Sequence, residues 1–321
     1  QEMKTKIMNT LRQMKQHIRH SLLLAVVLLS AASPASAQTA AAPGDMGPTL
    51  GKIAATGTLF AAHRESATPF SYVGEGAADA RVYGYSWEIC QNVAGAVKER
   101  LGREVKLVPV AVSANSRIMM VKVGMADIEC GATTNNVARQ KQVAFSNTFY
   151  VAQVRLMVRK DSGIKRIADL ANKRVVTTLG TTADRLIKQA ALANNITMQY
   201  LMGRNHSESM GMIIRGEADA YVGDDAIIAA ERASAGMNDQ LVFLDEVLAT
   251  EPYGLMLRRD DPQFKKLVDE VLVGLMQSGE LARIYDKWFM NPIPPRGINL
   301  QMPMSDKLKA AVANPNDRPA N

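Results

Sequence analysis

Residues 174–222, RVVTTLGTTADRLIKQAALANNITMQYLMGRNHSESMGMIIRGEADAYV, decide how the chain folds. Extended runs alternate with helical periodicity in a fixed order. A strand over Arg174 to Thr178 precedes a helix from about Thr182 to Ala193, a strand over Ile196 to Leu201, a helix over Glu208 to Arg215 and a strand over Ala218 to Val222. This alternation predicts an α/β fold rather than a sandwich or a bundle. The same pattern recurs upstream. Thr58 to Ala62 and Val105 to Val110 read as strands, and between them Ser86 can cap a helix whose Ile89, Val93, Val97 and Leu101 form one apolar stripe before Gly102. Leu156 to Lys160 and Gly254 to Arg258 are extended segments bracketing the 174–222 series. They predict two crossings between a discontinuous first lobe and a continuous second lobe.

The chain has 321 residues, 47% of them hydrophobic and 21% charged, enough for one large or two ordinary domains and incompatible with disorder. Its 38 Lys and Arg against 31 Asp and Glu give +7, which on its face suggests a polyanion partner. The excess is local. Lys4, Lys6, Arg12, Lys15 and Arg19 against Glu2 put +4 in residues 1–37, leaving +3 for everything after. Residues 1–37 also run from that basic segment through Leu22 to Leu29 to the small residues Ala35-Ser36-Ala37, the order of a cleaved secretory signal peptide. The apolar run is too short to span a bilayer, which takes roughly 20 residues. A chain exported to the periplasm and cut near Ala37 follows, with a flexible leader over 38–50. Export leaves Cys90 and Cys130 two possibilities, one disulfide or two separate buried thiols. The tail from Asn291 carries Pro292, Pro294, Pro295, Pro303 and Pro315, predicting an extended strap with a helix around Ser305 to Ala313.

Several chemistries lack a foothold. Only His63 and His206 lie beyond the signal segment, so a multi-histidine metal site is not expected, and no cofactor or catalytic set is read. The chain has no H-E-x-x-H, G-x-x-x-x-G-K-[ST] or G-x-S-x-G motif. Nucleic-acid binding is not expected of a chain that is near neutral after residue 37 and 5% aromatic. Polar residues cluster instead where strands end, the usual place for ligands in α/β folds. These clusters are His63 to Ser66, Ser113 to Arg117, Glu129 to Asn136 with Arg139 beyond, Thr178 to Thr182, and Gly223 to Asp225.

Taken in order, these segments resemble the bacterial periplasmic amino-acid-binding proteins of ABC importers, solute-binding protein family 3, and among them the members that bind glutamate and aspartate. The resemblance rests on HRES..PFSY (63–72), GYS (84–86), ECGATTNNVARQKQVAFS (129–146), GTT (180–182), DDA (224–226), LRRDDPQFKKLVDE (257–270), SGE (278–280) and DKWFMNPIPP (286–295). It implies the two-lobed type II periplasmic-binding-protein fold, each lobe a sheet flanked by helices, joined by two hinge strands. Lobe 1 would comprise 51–152 plus 254–300, lobe 2 153–253, and the strap 301–321. It further implies a monomer that closes on L-glutamate or L-aspartate and docks on ABC permease membrane subunits.

By the same resemblance Arg139, helped by Thr134 and Thr181, would take the α-carboxylate, and Asp224 the α-ammonium. Arg64 and Arg117 would take the side-chain carboxylate, with His206 as a further donor and Thr178 lining the same region. The family usually reads ECGSTTNN and T-S-x-N-R, so Ala132 removes one hydroxyl and Ser116 or Ser113 supplies a displaced one. Three Arg and one Asp leave a net +2 against a ligand of −1. Asp225 reads as a helix cap, Met119 and Met120 as core, Lys265 and Lys266 as a solvated helix face, and Glu129 as structural with no ligand role. Two other uses of the architecture are a cyclohexadienyl-type dehydratase, which needs a cleft acid of perturbed pKa, and a soluble sensor.

Overall fold

The computed structural model describes residues 46–74 and 81–321; the signal segment expected over 1–37 and the leader up to residue 45 lie outside the described residues. The rest of the leader is helical. Helix α1 (Gly47–Thr56) has proline in its first turn and buries Thr49, Leu50 and Ile53, which places 47–50 in the fold rather than in a flexible leader. There follow β1 (Thr58–His63), a small antiparallel sheet of β2 (Ser66–Ala67), β3 (Ser71–Val73) and β4 (Val82–Tyr83), α2 (Tyr85–Leu101), β5 (Lys106–Ala111), α3 (Arg117–Lys122), β6 (Ile128–Glu129), α4 (Val137–Gln140) and β7 (Ala144–Phe145). Strand β8 (Tyr150–Arg159) leads to β9 (Arg174–Thr178), α5 (Ala183–Ala193), β10 (Gln199–Gly203), α6 (His206–Ile214), β11 (Ala220–Asp224) and α7 (Asp225–Ser234). Strand β12 (Leu241–Tyr253) returns to β13 (Met256–Leu257), α8 (Pro262–Gln277), α9 (Glu280–Phe289) and α10 (Asp306–Ala313).

Two five-stranded sheets form, ordered β5-β1-β6-β13-β7 and β10-β9-β11-β8-β12. In each, three strands run parallel, β5-β1-β6 and β10-β9-β11, so their carboxyl ends open on one side of the sheet. Two-strand traffic joins the sheets. β8 and β12 pair antiparallel from Tyr150 opposite Tyr253 to Arg159 opposite Leu241. Tyr150, Ala152 and Tyr253 at one end pack in the core of Leu59, Ile89 and Phe289, whereas Val154, Leu156 and Val158 pack with Val175, Ile187 and Val222. One ribbon therefore spans both cores. The returning crossing lies at 241–253, not at Gly254 to Arg258. That segment turns into the first sheet, where Met256–Leu257 pairs with β6 and β7 and a Cβ on Gly254 would sit 2.9 Å from the Ser146 carbonyl.

Local rules account for the other departures from the expected elements. Helix α2 starts at Tyr85 because Gly84 holds φ 130°, where a Cβ would lie 2.2 Å from the Phe70 carbonyl oxygen; Ser86 is buried inside the first turn and is not the cap. Asn195 at φ 52° and the bond from Ile196 N–H to the Ala191 carbonyl keep Ile196 in the exit of α5, so β10 begins at Gln199. Asn205 accepts from Glu208 N–H at 2.9 Å and starts α6 at His206, two residues before the expected point. Met119 is 56% exposed, although Met120 packs on the core as expected. Lys265 is not a solvated side chain either: it reaches Asp269 at 2.6 Å and Asp317 at 3.0 Å and fastens the strap.

Cys90 in α2 and Cys130 after β6 form a disulfide with a Cα separation of 6.1 Å, closing a 40-residue stretch of chain. It ties helix to sheet immediately before the polar run that follows Cys130. Replacing both cysteines by serine is expected to lower unfolding stability by about 2–4 kcal/mol through the released loop. Urea denaturation of the double variant checks this, with an unchanged midpoint counting against a stabilising bond.

Candidate ligand-binding site

The sequence-selected residues sit at the carboxyl ends of the parallel strands of both sheets. Arg64 follows β1, Arg117 opens α3 after β5, and Thr134 and Arg139 follow β6. Opposite them Thr178 ends β9, His206 opens α6 after β10 and Asp224 ends β11. The two sides touch. Ser66 accepts from His206 N–H at 3.2 Å, and Gly180 at φ 81° lies so close that a Cβ would meet Asn115 N at 2.6 Å. The lobes are therefore in contact around the site.

Arg64 and Arg117 are each 2% exposed, and Arg139 is 8% exposed. Burial, then the neighbouring Arg117 charge, lowers the pKa of Arg64 to about 9 and that of Arg139 to about 10, with Glu129 pulling both upward. Arg139 bridges the sides: Nη1 donates to the Thr134 carbonyl at 2.9 Å and Nη2 to the Gly180 carbonyl at 3.3 Å. Arg117 Nη1 donates to the Ala132 carbonyl at 2.8 Å. Asp224 accepts a short hydrogen bond from the Tyr253 hydroxyl. Burial, and then the charge of Glu251, raise its pKa to about 7. His206 is pushed well below 6.5 by burial and by Arg64 and Arg117, so its ring is neutral.

Some expected donors are committed elsewhere. The Thr178 hydroxyl lies 3.2 Å from His206 Nδ1, 2.9 Å from Ser209 Oγ and 3.1 Å from Tyr221 Oη, a closed buried cluster. Thr181 Oγ1 donates to the Thr178 carbonyl at 2.7 Å. Ser116 and Ser113 lock each other, Oγ to Oγ at 3.1 Å and each Oγ accepting from the other's N–H, rather than meeting the arginines. Asp225 is the first residue of α7 rather than its cap, which is Asp224; its carboxylate accepts from Ala226 N–H at 2.9 Å and Gln153 N–H at 3.3 Å and so serves the first turn and the hinge.

Two groups at the site, Glu251 and Tyr253, escape the sequence reading, and a third, Glu129, reads there as structural only. Glu251, on hinge strand β12 and 2% exposed, accepts at one oxygen from Thr134 Oγ1 at 2.8 Å and from Thr182 Oγ1 at 2.7 Å. Tyr253, two residues on, is held by ring contacts to Phe70 at 5.2 Å and Tyr150 at 5.5 Å and presents its hydroxyl to Asp224. Glu129, fully buried, lies 3.9 Å from Arg117. Glu251 and Glu129 alter the charge count: three arginines face Glu129, Asp224 and Glu251, so the site is not +2. A cavity of about 320 Å³ lined by Arg64, Glu65, Ser66, Val112, Ser113, Arg204 and Asn205 opens beside Arg64. Among the described residues no group of His, Cys, Asp and Glu could hold a metal ion, and no helix is long and apolar enough to cross a membrane.

Paired sheets joined by a hinge ribbon, with arginines and an acid converging between them, define a solute-binding protein. The chain belongs to the bacterial extracellular solute-binding proteins of family 3, whose model matches residues 59–291. It is 40% identical over 298 residues, 92% of this chain and 97% of the relative, to the "Glutamate/aspartate import solute-binding protein" of Escherichia coli strain K12. It is 42% identical over 273 residues, 85% and 90% of the two chains, to the "L-glutamate/L-aspartate-binding protein" of Pseudomonas aeruginosa. A crystal structure of a mutant ArgBP from T. maritima matches with a TM-score of 0.66 at 27% identity, covering 75% of this chain and 99% of that one.

Proposed function

We propose that this chain is the periplasmic solute-binding component of an ABC importer, capturing L-glutamate or L-aspartate between its lobes and delivering it to a membrane permease. The observation that carries the reading is the convergence of Arg64, Arg117 and Arg139 with Asp224, all nine-tenths or more buried, from both sheets. A dicarboxylate with one ammonium needs that set, since each buried ligand charge requires a partner. Arg139 takes the α-carboxylate and Asp224 the α-ammonium. Arg64 and Arg117 take the side-chain carboxylate, with neutral His206 as donor. With Asp224 near pKa 7, the six ionisable groups carry between 0 and +1 at neutral pH, opposite in sign to the ligand. Thr134 contributes by holding Glu251, and Thr181 through backbone at the start of α5.

The same Asp224 pKa supports a second reading, since an acid titrating near 7 in a cleft is what a dehydratase would use. Isothermal titration against L-glutamate, L-aspartate and their amides separates the two. Micromolar binding, about −8 kcal/mol, with the ligand recovered unchanged is expected. Failure to bind any of the four sinks the proposal, and conversion of an amino-acid precursor would favour the enzyme. Scattering should show compaction on adding L-glutamate.

A further inference from the structure

We propose that Glu129 is a specificity-determining residue: a buried carboxylate beneath Arg64 and Arg117 that holds the two guanidinium groups side by side and sets how strongly the site prefers a side-chain carboxylate over its amide. This rests on the reading of the site given above.

Glu129 is fully buried at the end of β6, and its Oε2 accepts from Thr133 Oγ1 at 2.7 Å. Its Oε1 has no hydrogen-bond partner and stands 3.9 Å from Arg117 Nη1, near enough to neutralise charge but not bonded. Arg117 Nε is likewise buried without a partner. The close approach is built into the backbone. A Cβ on Gly131 would lie 2.1 Å from Glu129 Oε1 and 3.0 Å from the Arg64 side chain, so only glycine lets carboxylate and arginine share this space. Two buried arginines repel, which shows in the lowering of the Arg64 pKa by Arg117 and its partial restoration by Glu129.

A carboxylate left half-engaged in this way makes the arginine pair tolerable without a ligand, yet leaves guanidinium donors for one. It also subtracts from the positive potential felt by a ligand carboxylate. Glu129→Gln keeps shape and the acceptor for Thr133 while removing the charge, so affinity for L-glutamate should rise relative to L-glutamine by about tenfold at pH 7. Thr133→Val has the opposite sign. It frees Oε2, the carboxylate swings fully onto Arg117, and the glutamate-to-glutamine ratio should fall several-fold.

Both ratios are read by titration of the purified full chain with the two amino acids. A parallel change in both affinities, as a merely structural residue would give, overturns the proposal; so does a ratio that moves in the same direction in both variants. If E129Q does not fold, T133V alone decides by the sign of its shift. Absence of L-glutamate binding by the unaltered protein would overturn the reading of the site and this proposal with it, whereas normal binding with an unmoved ratio in the variants overturns this proposal alone.

Discussion

Arg139→Ala is expected to weaken L-glutamate binding by roughly 3–5 kcal/mol, a loss of between about a hundredfold and several thousandfold. The guanidinium does two things at once. It is the counter-charge for the α-carboxylate, and while Nη1 is fixed on the Thr134 carbonyl of its own lobe, Nη2 bonds the Gly180 carbonyl and ties the first lobe to the second. Truncation leaves a buried ligand carboxylate unpaired, and it leaves Glu251 and Asp224, both in electrostatic reach of Arg139, with one cation fewer. Arg139→Lys separates the contributions: it restores the charge but not the fork, so it should recover only part of the loss. Calorimetric titration reads both variants, and scattering of the Ala variant should show less compaction at saturating ligand. Affinity unchanged in Arg139→Ala would remove the residue from the site.

Arg139 also illustrates what the sequence could and could not tell. Arg64, Arg117 and Asp224 are legible because each belongs to a polar cluster at a strand end, with Arg139 beyond one of them, and parallel strands bring their carboxyl ends together; His206 comes only from the family resemblance. Glu251 and Tyr253 are not legible, because they lie within the last residues of a long extended run rather than in a polar cluster beyond it, and alternation marks only inside and outside. Their importance depends on β12 being the ribbon between lobes, whereas the sequence pattern places that crossing a few residues later, at Gly254 to Arg258. The sequence carries one faint signal: Glu251 and Tyr253 stand two positions apart, which puts an acid and a tyrosine on one face of an extended run. Thr134, Thr178, Thr181 and Ser116 show the opposite limit. A hydroxyl at a strand end can face a ligand or its own backbone, and only the geometry shows Thr181 bonded to the Thr178 carbonyl and Thr134 to Glu251. Glu251, unseen in the sequence, and Glu129, left out of the ligand set, have a consequence for charge, since a site counted at +2 is close to balanced.

Balance makes Asp224 the group whose ionisation the ligand controls, and Asp224→Asn should separate binding from stability. Burial and Glu251 raise its folded pKa from 3.8 to about 7, against the hydrogen bond from Tyr253. A carboxyl whose folded pKa is raised contributes stability in its protonated form, present at low pH and lost as pH rises through about 7. Above that pH the ionised acid destabilises the unliganded protein. Asn, which cannot ionise, should therefore raise the melting temperature at pH 8 by several degrees, with the gap closing towards pH 5. Binding moves the other way. The ligand ammonium favours ionised Asp224, so capture below pH 7 releases a proton, and affinity of the unaltered protein should climb by up to about tenfold per pH unit between 5 and 7 before levelling. His206, held neutral by burial and two arginines, does not mask this in the unliganded protein. In Asp224→Asn the ammonium loses its charge partner, and affinity should drop by roughly 3–5 kcal/mol. Melting curves and titrations at pH 5, 6, 7 and 8 check all of this. A variant less stable than the parent at pH 8, or an affinity flat from pH 5 to 7, would show that Asp224 is already ionised at pH 5 and that burial does not raise its pKa.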